Sequence, residues 1–88
     1  MPWAIVLSPD AVKQLAGLPR DRQELVAGAI DQMSRDPFMG DVRPLRGRKW
    51  EGRYRKRVGR YRIIFRSLRQ EHIVEISQIL LRSEQTYR

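Results

Sequence analysis

The 88-residue sequence contains no cysteine and a single histidine, His72. Without thiols the chain has no disulfide, no thiolate nucleophile and no cysteine-ligated zinc, a usage that fits a reducing compartment. One imidazole is too few for a histidine-built metal centre. Long hydrophobic runs are missing as well. The longest, Trp3 to Leu7 and Val26 to Ile30, fall far short of the roughly 20 apolar residues that cross a bilayer, and the N-terminus lacks a basic segment leading into a signal-like apolar stretch. No repeat, low-complexity tract, linker composition or cofactor motif interrupts the chain. One small soluble domain over residues 1–88, cytoplasmic and without metal, cofactor or membrane partner, is therefore expected.

What the sequence does have is positive charge, and it is unevenly placed. The formal net charge is +8, and the segment Arg43 to Arg69 holds 12 of the 18 basic residues but one of the 10 acidic ones, Glu51. A basic band on a mildly acidic body points to a polyanionic partner, because such a field steers nucleic acid and releases its counterions.

Hydrophobic periodicity places the elements. Trp3 to Leu7 reads as a first strand. Ser8 can then cap a helix, with Pro9 at the first helical position and Asp10 favourably set against the helix dipole. Val12, Leu15, Ala16 and Leu18 follow at helical spacing until Gly17 and Pro19 break the pattern. Leu25, Val26, Ala29, Ile30 and Met33 repeat that spacing between Arg20 and Ser34, and Pro37 and Gly40 end the second helix. A loop through "VRPLRGRKWEG" leads to three strands at about Arg53–Val58, Tyr61–Arg66 and Glu71–Ile79. The expected fold is α+β, in the order βααβββ, with a helical hairpin packed on one face of an antiparallel sheet.

The stretch "RYRKRVGRYRIIF" from Arg53 to Phe65 carries five arginines and Lys56 among its 13 residues. Gly59-Arg60 suits a two-residue turn with glycine first, which pairs Val58 with Tyr61, Arg57 with Arg62, Tyr54 with Phe65 and Arg53 with Arg66. Strand alternation then sorts the side chains. Tyr54, Val58, Tyr61, Ile63 and Phe65 share a core-facing side with Lys56 as the exception, while Arg53, Arg55, Arg57, Arg62 and Arg66 share the other. Directly opposed like charges destabilise a hairpin by roughly 0.2–1 kcal/mol per pair, so folding gains nothing from the arrangement. Some of these arginines are expected to lie over apolar surface with Glu51 or Glu75 as counterions. A whole face of guanidinium forks, however, matches phosphate oxygens.

The hairpin, preceded by "PLRG" and followed by a third strand and "RSEQTYR", resembles the RelE/ParE superfamily of toxins from type II toxin–antitoxin systems, and the likeness spans nearly the whole chain. The resemblance implies a toxin neutralised by a cognate antitoxin. RelE-like members cut messenger RNA in the ribosomal A site, which would make the chain a metal-independent endoribonuclease that inhibits translation, with messenger RNA and the ribosome as partners. ParE-like members instead inhibit DNA gyrase without cleaving RNA. Carried over residue by residue, the RelE-type catalytic positions fall on Arg55, Arg57, Arg62, Arg82 and Tyr87, with Arg62 on the scissile phosphate and Tyr87 moving a proton or stacking on a base. Arg46, Arg48, Lys49, Arg53, Arg60 and Arg66 complete the expected RNA-binding set. The chain departs from the RelE pattern in having arginines at strand positions where lysines are common, Arg43 before "PL" where related ribonucleases carry a glutamate, and leucine before Arg82 where histidine is usual. Trp3 is assigned to packing, Trp50 either to capping the core or to RNA or antitoxin contact, and His72 to a polar edge position.

Overall fold

The computed structural model describes residues 2–81. Five strands and two helices follow in the order β1 (Ala4–Leu7), α1 (Pro9–Ala16), α2 (Arg20–Met33), β2 (Val42–Pro44), β3 (Tyr54–Val58), β4 (Tyr61–Leu68) and β5 (Ile73–Leu81), with a single 3₁₀ turn at Arg48–Trp50 between β2 and β3. The sheet runs β1-β5-β4-β3-β2. The α+β class and the helical pair on one face are as expected. Two details of the sheet differ from expectation. Strand β1 pairs with β5 in parallel, making the sheet mixed, and the loop after α2 contributes a short edge strand in which Val42, Arg43 and Pro44 face Lys56, Arg55 and Tyr54. Three residues ending in proline carry no alternation pattern, so nothing in composition announced that strand.

Local chemistry sets the helix ends. Ser8 caps α1 by accepting the Ala11 N–H at 3.1 Å, and its own hydroxyl donates to the Ser77 carbonyl of β5 at 2.7 Å, so one side chain both starts the helix and ties it to the sheet. Pro19 takes the N-cap position of α2 and offers no side-chain bond. Val26, Ala29 and Met33 turn inward from α2 and Ala11 from α1, meeting Val58, Tyr61, Ile63, Phe65, Val74, Ile76 and Ile79 from the sheet. Leu15, Leu18 and Ile30 are half-buried against that core, whereas Val12 and Leu25, which share the helical spacing, remain exposed.

Strand β5 reaches the core with an uneven pattern, Val74 and Ile76 spaced by two and Ile79 by three. A bulge absorbs the extra residue: Phe65 pairs with Ile76 and Ile64 with Gln78, leaving Ser77 between them. Ser77 then uses both its groups, accepting from Ser8 through its carbonyl and donating its hydroxyl to the Ile64 carbonyl at 3.2 Å. Strand β5 begins later than expected because Glu71 and His72 belong to the preceding turn, with His72 in the left-handed region at φ 60°. There its ring stacks on Trp3 at 4.1 Å between centroids, so Trp3 does pack, with His72 as a partner. Among the described residues, no helix is long and apolar enough to cross a membrane.

Candidate nucleic-acid interface

The hairpin forms with the expected register, Val58 opposite Tyr61 and Arg57 opposite Arg62. Gly59 supplies the left-handed φ of 57° that the turn needs. Tyr54, Lys56 and Val58 point toward the helices with Tyr61, Ile63 and Phe65, and Arg55 and Arg57 point away with Arg62 and Arg66. Because β2 adds to the sheet, a second directly opposed arginine pair arises, Arg43 with Arg55. Four guanidinium groups on three adjoining strands thus form opposed pairs on the open face. Beneath them, by register, lie Ile64 and Leu80, both buried, so the arginines stand on an apolar floor.

The expected pairing of Arg53 with Arg66 is not formed. Arg53 precedes β3, where its N–H donates to the Trp50 carbonyl at 2.9 Å and its own carbonyl accepts from Leu45 at 3.0 Å. Arg66 instead faces Glu75, and its Nε donates to Glu75 Oε1 at 2.7 Å. Glu75 therefore serves as the counterion of Arg66. Arg46, Arg48 and Lys49 are exposed in the loop before β3, and Arg60 is exposed at the hairpin tip. Arg82 and Tyr87 lie outside the described residues.

One acidic residue at the site was not legible in the sequence. Asp41, just ahead of β2, sits across from Arg57, whose N–H donates to the Asp41 carbonyl at 2.9 Å. Its carboxylate lies 3.2 Å from Arg55 Nη1 and 3.7 Å from Arg57 Nη1. The hydrogen bond from Arg55, together with the charges of Arg55, Arg57 and Arg43, holds the Asp41 carboxyl below its ordinary value of 3.8. The contact is an exposed one on the Asp41 side, while the Arg55 side chain is only 12% exposed. Arg57 retains an unspent donor, since its Nε is buried without a hydrogen-bond partner among the described residues. Sequence distance hid Asp41: it lies 14 residues from Arg55 and reaches it only through the unanticipated edge strand.

Lys56, the one lysine of the hairpin, is on the helix side. It is 5% exposed, and its Nζ donates to the Met39 carbonyl. Burial pushes its ammonium below the ordinary 10.5, partly opposed by the charges of Asp36 and Asp41. Its proton is therefore easier to remove than an ordinary lysine's, but the sheet separates it from the arginines. The open face accordingly offers permanent cations in number, with Glu75 engaged by Arg66 and with Asp41 as the carboxylate beside Arg55 and Arg57, whose lowered pKa makes it a weak proton acceptor. Such an arrangement can hold phosphates and stabilise developing negative charge.

Comparison with known proteins bears on the fold and the family. A family model described as the ParE toxin of type II toxin–antitoxin systems, parDE, matches residues 5–86. No curated protein sequence matches the chain. Among solved structures, the RelBE2 toxin–antitoxin complex of Mycobacterium tuberculosis contains a chain that superposes with a TM-score of 0.82 at 26% identity, covering 93% of this chain and 100% of that one. The archaeal RelE–RelB complex of Pyrococcus horikoshii gives 0.79 at 24% identity over 96% and 99% of the two chains. The isolated RelE toxin of E. coli gives 0.76 at 15% identity over 97% and 90%.

Proposed function

The chain belongs to the ParE toxin family of type II toxin–antitoxin systems, and from that premise we propose that it is a RelE-like toxin that cuts messenger RNA on the translating ribosome in the cytoplasm and is held in check by a cognate antitoxin. The observation that carries this reading is the pair of opposed arginine couples, Arg43 with Arg55 and Arg57 with Arg62, on the face turned away from the helices. Taken by itself, the like-charge contact in each couple costs roughly 0.2–1 kcal/mol. A polyanion reverses the sign of that term, and an RNA backbone presents phosphates in series.

In the proposed reaction the ribose 2′-oxygen gives up its proton and bonds to the adjacent phosphorus, while the 5′-oxygen leaves and takes up a proton. Arg62 and Arg57 carry the extra charge on the phosphoryl oxygens in the transition state. Arg55 positions the strand after exchanging Asp41 for a phosphate, and Arg43, Arg46, Arg48, Lys49, Arg53 and Arg60 hold flanking backbone. Arg82 and Tyr87 are assigned the remaining roles, charge stabilisation and proton movement or base stacking. Since guanidinium groups supply the positive charge, the route needs no metal ion.

A second reading, inhibition of DNA gyrase without catalysis, is favoured by one specific observation: the hairpin's one lysine, Lys56, the natural candidate for a general base, faces the helices rather than the arginines. Induction of the chain in cells, with mapping of messenger-RNA 5′ ends beside a gyrase supercoiling assay, separates the two. Codon-phased cleavage that disappears in Arg62→Ala is the expected result. Intact messages with inhibited gyrase would overturn it in favour of the second reading.

A further inference from the structure

The loop between β2 and β3 borders an open cavity of about 350 Å³ against the start of α1 and the bulge of β5, within the size range of small-ligand sites. Its wall includes Trp50 together with the cations Lys49 and Arg53 and with Asp10 and Gln78. The 3₁₀ turn that carries Trp50 is braced at both ends. Gly47 and Gly52 take φ values of 98° and 77°, the Trp50 N–H donates to the Gly47 carbonyl at 3.0 Å, and the Trp50 carbonyl accepts from Arg53 at 2.9 Å. The indole is half-buried, leaving part of it open. Lys49 Nζ lies 5.5 Å from the indole centroid. Asp10, Arg53 and Gln78 make no side-chain hydrogen bond or ion pair among the described residues.

From this constellation we propose that the cavity is a nucleobase subsite, in which a single-stranded RNA base stacks on Trp50 while Gln78 and Asp10 read its edge. The inference rests on the RNA-binding reading above and adds to it the place where one base is held. The chemistry selects a nucleotide over a bare anion, because Asp10 repels phosphate but accepts a hydrogen bond from an exocyclic amino group. The two cations that line the cavity, Lys49 and Arg53, suit the phosphates on either side of the base, and Lys49 follows its phosphate when the base takes the indole face. The same carboxylate disfavours an acidic peptide as the occupant. Adenine, cytosine and guanine carry the amino group that Asp10 needs; uracil does not.

The test uses the full chain with Trp3→Phe, so that Trp50 is the remaining tryptophan, titrated with adenosine monophosphate and with ribose 5-phosphate. Quenching by the first and none by the second is expected; equal responses overturn the subsite. In parallel, the affinity for a short single-stranded RNA is expected to fall about tenfold in Trp50→Ala and to be largely kept in Trp50→Phe. Gln78→Ala and Asp10→Asn should each narrow the preference for adenine over uracil. Arg62→Ala separates this idea from the one it rests on. If Arg62→Ala weakens RNA binding and a folded Trp50→Ala does not, the subsite falls and the RNA reading stands; if neither weakens it, both fall. Loss in Trp50→Ala of binding to an acidic peptide alone assigns the cavity to a protein partner and overturns the proposal.

Discussion

The two faces of the β3–β4 hairpin treat positive charge in opposite ways. On the helix side a single cation, Lys56, is buried, capped by the Met39 carbonyl and pushed toward its neutral form. On the open side two arginine couples are set directly across from one another, with Asp41 as a counterion shared by Arg55 and Arg57. The first face shows what a fold does with a charge it must accommodate: it solvates the group with protein atoms and shifts its proton equilibrium. The second keeps groups that cannot deprotonate and sets their like charges side by side. On the reading proposed above, the open-face arginines answer to a requirement outside the fold.

Breaking the closed face should have the largest effect on stability. Phe65→Ala removes a fully buried ring and is expected to cost about 3–5 kcal/mol in urea melts. Arg62→Ala sharpens the contrast: message cleavage should fall roughly 10²–10³-fold, while stability stays within about 1 kcal/mol of the parent chain. A stability loss above about 2 kcal/mol would make this arginine a structural one. Lys56→Met comes next, with a change below about 1.5 kcal/mol near neutral pH and a clearer signature in alkali. The folded chain binds the Lys56 proton less tightly than the unfolded chain does. Stability of the parent should therefore rise with pH between the lowered folded value and 10.5, and Lys56→Met should flatten that limb. Asp41→Asn is the smallest. The stability Asp41 contributes is present above 3.8 and is lost as pH falls toward its lowered folded value, so the variant should lack that acid limb while binding RNA more tightly. Unchanged RNA affinity in Asp41→Asn would show that Asp41 does not compete for Arg55.

Much of this comparison was legible in the sequence because the hairpin is specified locally. Gly59 fixes the turn, and a period-two pattern on both flanks fixes the register, so the separation of Lys56 from its arginine neighbours followed directly. The helix cap at Ser8 was equally local. What escaped the reading depends on contacts between distant segments. Val42–Pro44 forms a strand because β3 offers it an edge, and that edge brings Asp41 and Arg43 to the arginines. Arg66 answers to Glu75 because β5, rather than the residue before β3, lies across from it. The spacing of Val74, Ile76 and Ile79 did hint at the bulge, since a regular strand cannot place all three on one face.

The most direct test of an open face built for a polyanion is the salt dependence of binding to single-stranded RNA. A plot of log affinity against log salt should be steep in the parent chain, and its slope should shrink by about 0.7 for each phosphate-contacting arginine removed, as in Arg57→Ala and Arg62→Ala. A shallow slope, or one that neither substitution changes, would contradict the account.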